Sequence, residues 1–186
     1  MAERVCPWWI GYLLASPLRK WRMQDPEELL RPFVREGMTV LEPGPGMGFF
    51  TLPLARLVGP AGRVVAVDIQ SQMLAGLRRR ARKAGLQDRI ETHLAQPDRM
   101  GVDELRDKVD FVLAFAVVHE MPSVGVFFGE ASAALKPKSL LLLAEPAGHI
   151  TPQRFQQELD AAQIAGLAEV SRPVIRRTVA AVLKKI

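Results

Sequence analysis

The segment VLEPGPGMGFF, residues 40–50, decides the fold of this chain. Its apolar start ends on the carboxylate of Glu42, and glycines then take alternate positions before helix-compatible residues resume, at Gly44, Gly46 and Gly48. That order is typical of a buried strand that turns tightly into a helix, because glycine accepts positive φ and lets the backbone come close to a ligand. The amides that open the next helix favour negatively charged groups. We therefore expect a nucleotide-like ligand at this turn.

Around this turn, apolar strands alternate with amphipathic helices along the chain. We predict strands at 38–42, 63–67, 90–95, 108–115, 139–144, 167–172 and 178–184. We predict helices from Asp25 to near Gly37, at 49–58, from Ser71, around 124–135 and at 152–165. Near-continuous apolar strands separated by helices indicate a parallel sheet with helices on both faces. The last two strands lie too close in sequence for a crossover helix, so that pair is predicted to be antiparallel.

The predicted fold class is therefore α/β, a doubly wound, Rossmann-like and mostly parallel seven-stranded sheet with an N-terminal helical extension. The 186 residues suit a single domain, with 1–36 as a helical cap and 37–186 as the ligand-binding core. Residues 1–24, which include two adjacent tryptophans, either cover the pocket as a lid or pack on the sheet edge. The sequence favours neither reading.

Composition excludes several classes of protein. No window approaches the roughly 18 uninterrupted apolar residues of a membrane span, and no secretory signal is visible. The single cysteine, Cys6, excludes an internal disulfide framework and a cysteine-rich metal site. We therefore expect a cytoplasmic protein without a transmembrane segment.

The spacing of the glycines limits which class of nucleotide-like ligand is expected. The dinucleotide-binding pattern G-x-G-x-x-G would need a glycine where Phe49 stands, and the Gly-Lys-Ser/Thr of a phosphate-binding loop is absent from the sequence. The next strand ends in Asp68, whose carboxylate is placed to accept hydrogen bonds from a ribose diol. An acid before the turn and a second acid after the next strand make the ligand prediction much more specific than the glycines alone.

These residues resemble the first two motifs of class I S-adenosylmethionine-dependent methyltransferases, over 40–68. LKPKSLLLLAEP, residues 135–146, is similar to the family's lead into its fifth strand, with Lys138 and Ser139 in place of two glycines. AGLAEVSRP, residues 165–173, is similar to its approach to the last strand pair. Within the family, the sequence most resembles the branch that acts on small molecules, which includes quinone-biosynthesis and arsenite methyltransferases. The extra cysteines expected of arsenite enzymes are missing from the sequence.

The resemblance implies that S-adenosyl-L-methionine is the cofactor, and it assigns roles by position. The turn would face the methionine part, and Glu42 would organise the turn and the methionine ammonium. Asp68 would hold the ribose hydroxyls. The remaining cofactor-binding residues implied are the turn positions Gly44, Pro45, Gly46 and Gly48, then Ile69, Gln70 and Gln96 near the adenine, and Phe115 at the methyl end. Gln96 stands where the family often has an acid.

Candidate catalytic residues follow the fourth and fifth strands. These are His119 and Glu120 after the fourth, and Glu145 and His149 after the fifth. Methyl transfer from a sulfonium is an in-line displacement, and a general base is needed only if the acceptor loses a proton. We interpret His119 as that base or as an acceptor-orienting residue, supported by the other three side chains. The alternatives are helix capping with a surface histidine, or binding of a divalent metal, which we do not assign.

Three functions remain open from the sequence. The leading hypothesis is an enzyme that methylates a small molecule on O, C, S or N. A basic run motivates RNA methylation instead, at Arg78, Arg79, Arg80, Arg82 and Lys83. The third is a non-catalytic protein that binds S-adenosylmethionine. The sequence does not identify the methyl acceptor, and it is compatible with a monomer or a homodimer.

Overall fold

The structure is a computed structural model that describes residues 25–186. Residues 1–24 with Cys6, predicted either to cover the pocket as a lid or to pack on the sheet edge, lie outside the described residues. The first described helix, α1, runs over Pro26–Leu30, and its N-cap Asp25 accepts a hydrogen bond from the Glu27 amide at 2.8 Å. The prediction that this helix continues to near Gly37 is wrong. Pro32 lacks the amide hydrogen that a further turn needs.

The remaining elements follow the predicted alternation. The strands are β1 Thr39–Pro43, β2 Arg63–Asp68, β3 Ile90–Leu94, β4 Val109–Phe115, β5 Leu135–Pro146, β6 Leu167–Ser171 and β7 Thr178–Lys185. The helices are α2 Thr51–Leu57, α3 Ser71–Lys83, α4 Val124–Ala134 and α5 Pro152–Ile164, with short 3-10 turns at Gln87–Arg89, Asp103–Leu105 and Val118–Glu120. The seven strands form one sheet in the order β3-β2-β1-β4-β5-β7-β6. The predicted doubly wound α/β fold is confirmed.

Within the described residues the chain divides into two compact units, one ending at Ala95 and the other beginning at Gln96. In the first unit β1, β2 and β3 pair in parallel, with Leu41 opposite Val65 and Val65 opposite Glu91. Val40 and Leu41 are fully buried, and Val64–Val67 are buried throughout, as their continuous apolar sequence predicts. This packing fixes the carboxyl ends of β1 and β2, where Glu42 and Asp68 lie.

In the second unit β4 and β5 pair in parallel, while β5 with β7 and β7 with β6 are antiparallel. The antiparallel closing pair is therefore confirmed. Strand β5 begins at Leu135, earlier than predicted, because Leu135 pairs with Val109 and the Lys136 ammonium binds the Asp110 carboxylate. A register shift between Val109 and Phe111 accommodates the extra residues. Leu141, Leu142 and Leu143 are fully buried and form the core of this unit.

Across residues 25–186, no helix has the length and apolar character needed to cross a membrane.

Candidate active site

The glycine turn that follows β1 has the conformation that its sequence predicts. Gly44, Gly46 and Gly48 all have positive φ, and the Gly44 amide donates to the Val67 carbonyl at 2.8 Å. A Cβ built on Gly48 would lie 2.5 Å from Leu77 Cδ1, so α3 packs against the turn only if glycine is present there. A Cβ built on Gly46 would meet no described atom within 4 Å. One side of the turn is therefore packed, while Gly46 has space for a ligand beside it.

Helix α3 braces the turn through a second contact. The Arg80 guanidinium donates a hydrogen bond to the Met47 carbonyl, and Gly76 leaves room for the Met47 side chain, whose sulfur would lie 3.0 Å from an added Cβ. Arg80 belongs to the basic run that motivated the RNA hypothesis. Arg78, also in the run, donates to Thr92 Oγ1 at 2.9 Å. At least these two arginines thus form hydrogen bonds within the protein, while Arg82 and Lys83 are exposed.

Glu42 is a buried carboxyl at the end of β1. Only 3% of its surface is exposed, and its Oε2 atom has no hydrogen-bond partner among residues 25–186. Burial raises the pKa of the carboxyl from its ordinary 4.5 to about 8, and the Asp68 charge adds to the rise. The Thr51 hydroxyl opposes it, although its oxygen reaches hydrogen-bonding geometry with no described group. Because an unpartnered buried oxygen is costly, Glu42 is suited to receive a ligand that carries a donor or a positive charge.

Asp68 lies at the carboxyl end of β2, in the same compact unit. Its Oδ1 atom accepts the Gln70 amide at 2.8 Å, which fixes the carboxylate at the start of the following helix. Ile69, between them, leaves 40% of its surface exposed. The turn, Glu42, Asp68, Ile69 and Gln70 are thus brought together by β1 and β2, in an order that suits a nucleoside with a charged tail.

The two other predicted cofactor residues belong to the second compact unit. Gln96 is exposed and pairs with Arg99, its amide donating to the Arg99 carbonyl at 3.1 Å. Phe115 ends β4 and is 8% exposed, and Ala116 after it has a positive φ of 55°. The cofactor roles of Gln96 and Phe115 stay predictions.

The predicted catalytic side chains form a cluster within the second unit. Glu145, at the end of β5, is fully buried, and its Oε1 accepts the amides of Val118 at 2.8 Å and Val117 at 3.3 Å. Its Oε2 is hydrogen-bonded to His119 Nδ1. Because a carboxylate can only accept a hydrogen bond, Nδ1 carries the proton that Glu145 receives. In the neutral ring, Nε2 is then the basic nitrogen. The hydrogen bond that His119 donates to Glu145 raises the pKa of His119, and burial opposes the rise.

Glu120 and His149 border the same histidine. Glu120 Oε1 lies 3.9 Å from His119 Nε2, and the rings of His119 and His149 meet edge-on with centroids 5.8 Å apart. The sequence therefore identified four side chains that the fold assembles, although their catalytic roles stay predictions. In the described part of the chain, no group of three or more His, Cys, Asp or Glu residues could hold a metal ion.

Sequence reasoning missed a further buried acid of this unit, Glu158 on α5, which interacts with Glu145 and His119 through charge. It is fully buried, and both carboxyl oxygens have no hydrogen-bond partner within residues 25–186. Burial raises its pKa from 4.5 to about 7, and the charge of Glu145 adds to the rise. The sequence does carry a signal for this burial, because Glu158 has the helical spacing of the apolar stripe formed by Phe155, Leu159 and Ala162.

The glycine turn and the acids that end β1 and β2 define a class of α/β proteins that bind nucleotide-containing cofactors. Residues 34–177 match the model of a family described as a methyltransferase domain. This chain therefore belongs to that methyltransferase-domain family, and the family resemblance found in the sequence is confirmed.

Individual relatives agree with this assignment. The ubiquinone biosynthesis O-methyltransferase of Paramagnetospirillum magneticum is 33% identical over 62% of this chain and 43% of that protein. The ribosomal protein L11 methyltransferase of Pelotomaculum thermopropionicum is 32% identical over 82% of this chain and 45% of that protein. The chain thus spans less than half the length of these curated relatives. A SAM-dependent methyltransferase from Aquifex aeolicus has the same fold, with a TM-score of 0.86 at 22% identity over 98% of this chain and 100% of that one.

Proposed function

We propose that this chain is an S-adenosyl-L-methionine-dependent methyltransferase that methylates a hydroxyl group of a small molecule. The observation that carries the proposal is the unpartnered, buried carboxyl of Glu42 beside an open glycine turn. Membership of the methyltransferase-domain family supports the same activity. The cytoplasmic location, and the choice between monomer and homodimer, stay predictions.

The residues at the ends of β1 and β2 fit this cofactor. Glu42 would bind the methionine ammonium, because a cation beside the carboxyl offsets the cost of its buried negative charge. Gly46 would let the methionine part approach the backbone, and Asp68 would accept the ribose hydroxyls. Ile69 and Gln70 would lie along the adenine. When bound, S-adenosylmethionine supplies an electrophilic methyl group.

His119 would act as the general base. Its Nε2 atom would take the proton of the acceptor hydroxyl, which turns that oxygen into a better nucleophile. Glu145 would hold the ring through Nδ1 and stabilise the positive charge that forms on it, while its own charge is satisfied by two backbone amides. Glu120 and His149 would orient the acceptor on the Nε2 side.

Two observations support a small hydroxyl-bearing acceptor. An oxygen acceptor loses a proton during methylation, and a histidine held by a buried carboxylate supplies the base for that loss. A relative is named a ubiquinone biosynthesis O-methyltransferase. Neither observation identifies the molecule.

Cofactor binding is tested by calorimetry with S-adenosylmethionine. We expect binding by the native chain and at least about a tenfold loss of affinity in Asp68→Ala, because the hydrogen bonds to the ribose disappear. Asp88→Ala is the matched control, since Asp88 is an exposed acid of the same unit. An affinity that is equal in all three proteins would refute the assignment of Asp68, and absence of binding by the native chain would refute the function.

Catalysis is tested by transfer of a radiolabelled methyl group to small molecules fractionated from cell extract. We expect His119→Ala to lower the rate by about 100-fold or more, as expected for loss of a general base, and His93→Ala to leave it unchanged. Equal labelling by native protein and His119→Ala would contradict the catalytic role. Tight cofactor binding without labelling of any fraction would favour a non-catalytic protein.

A further inference from the structure

Glu158 has no role in the function proposed above, yet its position is costly. A carboxyl that is fully removed from water and lacks donors for both oxygens destabilises the fold when it is ionised. Its helix buries this face through Phe155, Leu159 and Ala162. An apolar residue or a glutamine would fit such a site at lower cost. The presence of a glutamate at position 158 therefore indicates a functional role for its carboxyl.

The groups that act on Glu158 come from three elements. Glu145 on β5 repels its negative charge, while His119 after β4 and Arg154 on the same helix favour that charge. Glu145 has hydrogen bonds from two backbone amides and from His119 Nδ1, which stabilise its ionised form. Glu158 has no such donors among the described residues. Burial therefore favours the protonated form of Glu158.

We propose that Glu158 is a positioning residue whose carboxyl, by holding or losing its proton, sets the proton affinity of His119. When Glu158 is protonated, Glu145 and Glu120 are the groups of the described chain that supply negative charge to the imidazole. When Glu158 loses its proton, a third negative charge favours the imidazolium form, and His119 becomes a stronger base. An effect of Glu158 on catalysis depends on the proposed role of His119 as the general base. The electrostatic coupling between Glu158 and His119 does not depend on that role.

The titration of the two groups should therefore be coupled. The burial-raised pKa of Glu158, about 7, lies in the range where histidine also titrates. In the native protein, ionisation of Glu158 delays proton loss from His119 and extends its titration toward high pH. With a residue that cannot ionise at 158, His119 loses its proton in a single step at lower pH.

The experiment is a histidine NMR titration of the isotope-labelled full chain, without cofactor or acceptor. We compare native protein with Glu158→Gln, which keeps the size and removes the charge, and with Asp160→Asn as a matched control. Asp160 is exposed on the same helix. We expect the His119 curve to narrow and move to lower pH in Glu158→Gln only. An unchanged His119 curve in folded Glu158→Gln overturns the proposal.

Two further measurements keep the test decisive. If Glu158→Gln does not fold, Glu158→Met replaces it, since an apolar side chain suits the buried site. In native protein, the carboxyl carbon of Glu158 is followed directly, and titration at the ordinary 4.5 would overturn the proposal without any variant. Methyl transfer then separates the two hypotheses. A shifted His119 curve without methyl transfer refutes the proposed function alone, whereas methyl transfer with an unshifted curve refutes the role of Glu158 alone.

Discussion

Two buried carboxyls end two strands of this sheet, and they differ in their hydrogen bonds. Glu42, at the end of β1, has an oxygen without any partner in the described structure, whereas both oxygens of Glu145, at the end of β5, accept hydrogen bonds from protein groups. Their exposures are 3% and 0%. Burial alone therefore does not show whether the protein supplies the donors that a buried carboxyl needs. It supplies them to Glu145 and, within the described residues, not to the Oε2 atom of Glu42.

The largest effect is expected at the satisfied carboxyl. Glu145→Ala leaves two backbone amides and the His119 ring without their acceptor, and we expect the free energy of unfolding to fall by about 3–5 kcal/mol. Urea denaturation measures the change. Glu169→Ala is the control, because its pair with Arg172 is exposed and contributes at most about 1 kcal/mol. A loss below about 1 kcal/mol for Glu145→Ala would contradict the view that this carboxyl is structural.

The glycine turn allows a comparison within a single loop. Gly48→Ala should lower the free energy of unfolding by about 2–3 kcal/mol, because the new Cβ meets Leu77 in addition to the strain of positive φ. Gly46→Ala should lower the free energy of unfolding by only about 1 kcal/mol, from the strain of positive φ. Its methyl group, however, occupies the space proposed for the cofactor. Denaturation and calorimetry together separate the two. Gly46→Ala with full affinity for S-adenosylmethionine would refute binding on that side of the turn.

A smaller effect is expected at the brace behind the turn. Arg80→Ala removes the hydrogen bond to the Met47 carbonyl, and we expect a loss of about 1–2 kcal/mol in stability and a several-fold loss in cofactor affinity. Arg82→Ala, an exposed residue of the same basic run, should change neither. Equal behaviour of the two variants in thermal denaturation and calorimetry would show that the brace is unimportant.

The last comparison concerns the proton that the Glu42 carboxyl holds. Because burial raises the pKa of Glu42 to about 8, the free carboxyl is largely protonated at pH 7, and a bound ammonium should ionise it. Calorimetry in buffers of different ionisation enthalpy should then detect release of up to about one proton on cofactor binding. Glu42→Gln should abolish the release. Without ligand, the native free energy of unfolding should fall as pH rises from 4.5 to about 8, since the folded state holds this proton more tightly.

The turn and its acids were predictable because they are local. A strand, a glycine turn and Asp68 lie within one βαβ unit, and the identity of each residue is set by its own backbone or by its immediate neighbours. The early end of α1 was also visible, since Pro32 cannot continue a helix, but the apolar stripe around it outweighed that signal in our reading.

Features set by long-range packing were not predictable to the same degree. The early start of β5 depends on pairing with Val109 and on the bond between Lys136 and Asp110, which are 26 residues apart. Glu158 shares the helical spacing of the buried residues Phe155 and Ala162, but that spacing alone does not show that α5 buries a carboxyl completely. Sequence could place His119 and Glu145 after neighbouring strands, but the hydrogen bond between them required the structure.

The single side chain of Glu145 ties three consecutive residues after β4, namely Val117, Val118 and His119, to the end of β5. None of these three contacts is part of a strand ladder, and the 3-10 turn Val118–Glu120 uses the carbonyls of Val117 and Val118 rather than their amides. The amides of Val117 and Val118 should then exchange with deuterium at one common rate, set by release of the carboxylate rather than by unfolding of the sheet. That rate would measure how often the candidate base leaves its aligned position.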